Sequence, residues 1–364
     1  MNNIKSGSFY KLLAFALLVL LLILLAVMAV NGQEQNAMPD DTDNDQNGSD
    51  PTQGGDDKIN TDQSQNGDSL LPKLPEYTYY LTGTECSADE SDLIPYAVIT
   101  HSASLSYGIS MADMVVEVPI ENGETRLVVY YRASEGLGKI GALAPSRANI
   151  DELIDRFGGI SVAYSSDNSV LSDGVIDLDV KGTEFSYLEN AKYVYTSAEL
   201  LSAYALEKNI KNQYSSVPVV YNFVDFGKRY TGIVPASSIN LPFSSENSTA
   251  FAYSSELGSY VMQKNGANKT DALNASLVSF TNVFVLFSDS TTYEKASGIQ
   301  TVISTAACGS GIYFTAGTAT EIRWQIGDSG ISFSTLDGTE LKINRGSSYI
   351  GYYKSADADG ATYE

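Results

Sequence analysis

An α+β fold is predicted: a mixed α/β domain first, a smaller and mainly β domain after it, and one transmembrane helix ahead of both. Three observations predict it. Residues 112–132 read as a hairpin of two β-branched runs around a glycine turn. Residues 150–157 and 197–208 repeat their apolar positions at helical spacing. From Val217 to Ile343 the text breaks into short β-type runs punctuated by glycine, with no helical period. A chain of 364 residues also exceeds the ~250–300 that one core supports, which argues for two domains.

Residues 1–11 carry Lys5 and Lys11 and are expected in the cytoplasm by the positive-inside rule. Residues 12–30, LLAFALLVLLLILLAVMAV, form an uncharged apolar run long enough to cross a ~30 Å hydrocarbon core. Val27-Met28-Ala29 offers a cleavage site, but signal-peptide apolar regions run only ~7–15 residues, so an uncleaved, single-pass anchor is the expectation. Residues 31–75 are rich in Asp, Asn, Gln, Ser and Gly and read as a disordered acidic linker. Asp41, Asp43 and Asp45 alternate as calcium ligands do, yet the glycine and distal glutamate of such a loop are missing. The folded domains are therefore expected outside the cell membrane.

The first domain is expected over 76–212. Tyr96 to Thr100 reads as a strand, and a polar loop from His101 to Ser110 follows. In the hairpin, Val115 and Glu117 face a return run with Leu127 and Val129 across Glu121-Asn122-Gly123-Glu124, where Gly123 can take φ > 0. Ser146 is placed to cap the first helix, Asp151 and Glu152 lie in its early turns, and Gly158-Gly159 stops it. Ile160 to Tyr164 reads as a strand, and Ser197 caps a second helix.

The second domain is expected over 213–354. Its strands are Val217–Phe223, Val283–Phe287, Thr301–Ser304, Ile312–Thr315, Glu321–Ile326 and Glu340–Ile343, a pattern of small sandwiches and barrels. Gly309-Ser310-Gly311 reads as a turn, Trp324 as a core residue, and 355–364 as a frayed tail. The 24 tyrosines suit strands packed on one side and wet on the other.

A net charge of −22 disfavours nucleic acid and anionic membrane surfaces as partners. Cys86 and Cys308 read either as one disulfide or as two unpaired small side chains. With no Cys-x-x-Cys and with His101 as the single histidine, neither a metal nor a cofactor is expected. Phosphate loops, nucleophile elbows and dinucleotide fingerprints are absent from the sequence. Asp177 and Asp179, two apart, read as the solvated face of a strand.

The chemistry-bearing set is His101, Asp113, Glu117, Arg126, Ser146 and Arg147, from loops and strand ends around the hairpin. Imidazole, carboxylate and guanidinium together suit general acid–base work on an anionic or sugar substrate. Glu117 and Arg126 equally suit a structural ion pair, and Asp113 a brace for its loop.

The segments PYAVITHS, GISMADMVVEVPIENGETRLVVYYR and KIGALAPSRANIDEL resemble the N-terminal domain of the YerB-like family of bacterial lipoproteins, known as domain of unknown function 3048. His101, Ala112, Asp113, Glu117, Gly123, Thr125, Arg126, Gly141 and Arg147 carry that resemblance. NVFVLF, GSGIYFTAGTATEIRW and LDGTELKINRGSSYIGYY are similar to its C-terminal domain, at Gly309, Gly311, Glu321, Trp324 and Gly346. The resemblance implies a surface-anchored, two-domain protein of a Gram-positive-type envelope and brings no activity with it. Three departures stand out. There is no lipobox cysteine, GALAPSR keeps only Arg147 of two family arginines, and MQKNGANKTD stands where the family has a histidine.

Two functional expectations follow. One is a membrane-anchored envelope protein that binds or scaffolds a cell-wall or protein partner. The other is an envelope hydrolase or transferase using His101, Glu117 and Arg126 or Arg147.

Overall fold

The structure is a computed structural model that describes residues 74–364 apart from 104, 133–136, 147–149, 165–175, 178–183, 189–190, 296–297, 305–307 and 328–329. The anchor at 12–30, nearly all of the linker at 31–75, Arg147 and Asp179 lie outside the described residues. Among the described residues no helix is long and apolar enough to cross a membrane.

The chain builds strands β1 (Tyr96–His101), β2 (Met114–Pro119), β3 (Thr125–Tyr131) and β4 (Ile140–Gly141). Helix α1 (Ile150–Phe157), β5 (Ile160–Ala163), β6 (Ile176–Asp177), β7 (Glu184–Leu188), β8 (Ala191–Thr196) and α2 (Ala198–Glu207) complete the first half. The hairpin forms as expected. Asn122 and Gly123 take φ of 60° and 72° in the turn, and Glu117 pairs with Leu127 across it. Ser197 accepts the Leu200 amide at 3.2 Å and caps α2. The Ser146 hydroxyl donates to the Asp151 carboxylate of α1 at 3.1 Å, which Ser161 also bonds at 2.9 Å, and residues 147–149 before the helix lie outside the described ones.

The second half holds β9 (Asn222–Phe223), β10 (Val234–Pro235), β11 (Ser238–Pro242), β12 (Ser248–Ser254), β13 (Ser259–Lys264), β14 (Ala267–Asn268), β15 (Ser279–Phe280) and β16 (Asn282–Ser288). It continues through β17 (Ser290–Lys295), β18 (Gly298–Ile303), β19 (Cys308–Thr315), β20 (Thr318–Gly327), β21 (Gly330–Thr335), β22 (Lys342–Ile343), β23 (Ser348–Lys354) and β24 (Thr362–Tyr363). The protein is thus α+β, mostly β with few helices, and its C-terminal half is β-rich.

One sheet of eleven strands runs β10-β20-β19-β16-β23-β2-β3-β1-β5-β6, with β21 on β20, so strands from both sides of residue 213 are neighbours in it. The join is β23, which lies parallel to both β2 and β16. A central strand with parallel neighbours is covered on both faces, and six of the seven β23 residues are buried. A second sheet, β14-β13-β12-β11-β24 with β15 on β13, covers one face. Between the sheets lie Val115, Leu127, Val129, Val283 and Tyr349 with Phe251, Tyr260, Met262 and Phe280. The other face carries α1 through Ile150, Leu153, Ile154 and Phe157, together with Val116, Val128, Phe284, Ile350 and Trp324.

Several expectations change here. Gly309-Ser310-Gly311 is inside β19 and not a turn, because Gly309 pairs with Trp324 of β20. The expected strand at Val217–Phe223 shortens to β9. The tail is not frayed: a 3-10 turn at Ser355–Gly360 leads into β24, which pairs with β11, and the Tyr363 ring sits edge-on to Phe314 at 5.3 Å. Tyr79, Tyr130, Tyr260, Tyr313, Tyr349 and Tyr352 are fully buried and not half wet. Burial is tolerable where the hydroxyl finds an acceptor, as Tyr260 does on Ala236 and Tyr313 on Asn282, both at 2.7 Å. Cys86 and Cys308 are free thiols: Cys86 lies in the segment before β1, and Cys308 opens β19, exposed and opposite Gln325.

Candidate functional site

Register decides the fate of the hairpin charges. Directly paired residues share a sheet face and neighbours along a strand do not. Glu117 pairs with Leu127 while Arg126 pairs with Val118, so the two charges leave the sheet on opposite faces. The expected Glu117–Arg126 ion pair does not form.

Glu117 points between the sheets and is fully buried. Its Oε1 takes Lys264 Nζ at 2.8 Å and Thr125 Oγ1 at 2.5 Å, and its Oε2 takes Tyr349 OH at 2.6 Å and Thr249 Oγ1 at 2.8 Å. Lys264 and Thr249 are directly paired on β13 and β12, so the second sheet delivers both donors together. Lys264 Nζ also donates to Thr249 Oγ1 at 2.9 Å. Tyr349 comes from β23, where Gly351 pairs with Glu117. A Cβ on Gly351 would lie 3.0 Å from the Tyr349 ring and hydroxyl, so the missing side chain lets that ring lie where its hydroxyl reaches Glu117. Burial raises the Glu117 carboxyl, but the Lys264 charge and the hydrogen bonds from Lys264, Thr125 and Tyr349 outweigh it, leaving it below the ordinary carboxylate value.

Above this pair lies a cleft made of two adjoining cavities. The larger, about 720 Å³, is lined by residues including His101, Ser102, Thr125, Arg126, Tyr193 and Asn247. The smaller, about 380 Å³, is lined by residues including Ser106, Tyr193, Tyr195, Asn265, Asn268 and Lys269. Ala103, Tyr193 and Asn265 line both. His101 and Arg126 are paired across β1 and β3, and the His101 ring sits edge-on to Tyr193 at 6.2 Å. Arg126 reaches Glu124 at 3.4 Å.

Asp113 and Ser146 are not at the cleft. Asp113 precedes β2 and binds Arg132 at the far end of β3, with Oδ1 3.1 Å from the guanidinium and Oδ2 3.0 Å from the Arg132 amide. Arg126 and Arg132 are six residues apart on one strand, roughly 20 Å at ~3.3 Å per residue. The Arg132 guanidinium also covers the Tyr79 ring at 4.6 Å. Burial pushes the Asp113 carboxyl above its ordinary value, with Arg132 opposing. A raised carboxyl contributes stability that is present below its unfolded value and lost as pH rises through its folded one. We therefore expect Asp113→Asn to shift the melting temperature at pH 7 by less than the Glu117 variants described below, and to weaken the dependence of stability on pH. Thermal unfolding from pH 4 to 8 checks this.

Sequence reasoning missed the C-terminal wall of the cleft. Lys264, Lys269 and Asp271 all lie in MQKNGANKTD, whose signal was the histidine of the resembled family that this segment lacks. Asp271 is fully buried and accepts Gly108 N, Ser110 N and Ser110 Oγ at 2.7–2.9 Å and Leu273 N at 2.8 Å. It ties the loop that holds Ser106 to the segment that holds Lys269, fixing two walls of the smaller cavity.

An α+β protein with a tyrosine- and amide-lined cleft over a buried ion pair is the class that fold and site define. Residues 239–350 match the model of a domain family described as "Protein of unknown function (DUF3048) C-terminal domain". The crystal structure of YerB protein from Bacillus subtilis is similar in fold, with a TM-score of 0.67 and 20% identity, over 79% of this chain and 100% of that one. No curated protein matches the chain. The family match covers residues 239–350 alone, and the likeness to YerB is one of fold.

Proposed function

We propose that this is a membrane-anchored, extracytoplasmic binding protein of the bacterial cell envelope, whose cleft takes a polyhydroxylated wall polymer. Residues 12–30 serve as the tether and 31–75 as the spacer, supported by their apolar and acidic composition. The observation that carries the binding reading is the enclosure of Glu117. A carboxylate with four donors on its two oxygens and no exposure has no lone pair facing the cleft for proton transfer, so Glu117 does not serve as the acid–base partner of His101 that the hydrolase reading assigns it. Besides charged groups such as Arg126, Glu124, Glu246 and Lys269, the cleft presents tyrosine rings, amides and hydroxyls, the groups that stack on and hydrogen-bond to sugars.

Co-sedimentation of the full chain, held in detergent micelles, with purified cell wall tests the reading. Saturable binding is expected. Tyr193→Ala, at the junction of both cavities, is expected to weaken it about tenfold, the loss of ~1.4 kcal/mol, while leaving the melting temperature nearly unchanged. Sedimentation no greater than that of an unrelated acidic protein would sink it. Deleting residues 12–30 is expected to release the chain from the membrane fraction.

A further inference from the structure

Where the two cavities of the cleft meet, both are lined by Ala103, Tyr193 and Asn265. Asn265 is held in place by the turn it belongs to. With Gly266 it makes the two-residue connection between β13 and β14, the pair at φ of 51° and 79°. Its backbone amide donates to Ser248 O at 3.0 Å, and Ser248 N donates to its Oδ1 at 2.9 Å. A backbone N–H only donates, so the side-chain atom facing Ser248 is the oxygen and the nitrogen is the other one. Nδ2 has no hydrogen-bond partner among the described residues, and it is the donor that this exposed side chain has left for the cleft. Two apolar groups share the junction with it: the exposed Ala103 methyl, and the half-buried Tyr193 ring, edge-on to the His101 ring at 6.2 Å.

We infer that this junction is an acetamido subsite, in which Asn265 Nδ2 donates to the acetyl carbonyl of an N-acetylated amino sugar whose methyl packs on Tyr193 and Ala103. The inference rests on the binding reading proposed above and adds the identity of the sugar to it. An acetamido group fits such a trio because one carbon carries both a strong acceptor oxygen and an apolar methyl. A plain hydroxyl at the same sugar position satisfies the donor and leaves the two apolar groups in water. The clasp with Ser248 fixes the Asn265 amide in advance, so little rotamer freedom is lost when the ligand arrives. The acetamido group is also neutral, and a chain of net charge −22 does not repel it.

The test is calorimetric titration of the full chain, in micelles of a detergent without a sugar headgroup, with diacetylchitobiose and cellobiose. These disaccharides share their linkage and differ in carrying acetamido or hydroxyl groups at C2. Diacetylchitobiose is expected to bind about tenfold tighter, the scale of one well-placed hydrogen bond with an apolar contact. Asn265→Asp keeps an oxygen for Ser248 N, tolerates the positive φ and replaces the donor by an acceptor. It is expected to bring diacetylchitobiose down to the affinity of cellobiose. Cellobiose binding as tightly as diacetylchitobiose, no binding of either probe, or an undiminished preference in Asn265→Asp would overturn the subsite. So would an acetylated alanine tripeptide amide binding as tightly as diacetylchitobiose, which marks a peptide site. If Asn265→Asp fails to fold, NMR of the wild-type chain replaces it: diacetylchitobiose must shift the Asn265 side-chain amide resonances, and no shift overturns the subsite. Wall co-sedimentation that persists while the probes show no preference overturns the subsite alone. Absent wall binding overturns the binding reading as well.

Discussion

Glu117→Ala is expected to lower stability by about 3–5 kcal/mol, because it leaves the Lys264 ammonium buried without its counter-charge. For a fold of this size each kcal/mol moves the melting temperature by roughly 2–4 °C, so a fall of about 10 °C is the expected reading. Removing Lys264 as well, as in Glu117→Ala/Lys264→Met, is expected to cost less than the sum of the single changes, and a double-mutant cycle in urea measures the difference. The same pair sets an acid limit. The Glu117 carboxyl is depressed in the folded state, so its contribution is complete above the ordinary value of ~4.3 and is lost as pH falls through the lower, folded one. Wild-type unfolding midpoints are expected to drop between pH 5 and 3, and the Glu117→Gln variant to flatten that drop. A wild-type curve as flat as the variant's would show that the pair contributes nothing to folding.

Asp271→Ala is expected to be nearly as costly, at about 3 kcal/mol. It strips acceptors from the Gly108, Ser110 and Leu273 amides, and unsatisfied buried groups cost about 1–3 kcal/mol each when water cannot reach them. Asp271→Asn keeps one acceptor oxygen and is expected to lose about half as much. The readout specific to this residue is local. Amide exchange across 106–111 is expected to speed up more than across β1 or β2, since the Asp271 carboxylate accepts the Gly108 and Ser110 amides of that loop. Wall binding is expected to weaken in the same variant, because Ser106 and Lys269 stand on the two segments it joins.

How legible the molecule was from its sequence varied with the range of the interaction. The hairpin, both helices and the Asn122-Gly123 turn were legible because each is dictated within a dozen residues, by alternation, helical spacing or a positive φ. β23 was not legible as a strand. Gly351 sits in the middle of Ser348–Lys354, and a glycine there reads as a break until its neighbour Tyr349 is seen to need the space. Of the candidate residues, His101 and Arg126 line the larger cavity, whereas Glu117 leaves the sheet on the opposite face from Arg126, fully buried, and lines neither cavity. Asp113 and Ser146 resembled site residues in type and stand elsewhere, because position along a strand and not chemical kind decides what a side chain meets.

The sequence by itself determined that Glu117 is a carboxylate inside a sheet-forming run, and that such a charge requires a partner. Only the tertiary structure decided which partner. A one-residue offset across β2 and β3 turns Arg126 to the opposite face, and the second sheet, about 130 to 150 residues further along the chain, brings Thr249 and Lys264 to the carboxylate. Sheet faces and long-range contacts are fixed by register and packing, and neither is written in local order.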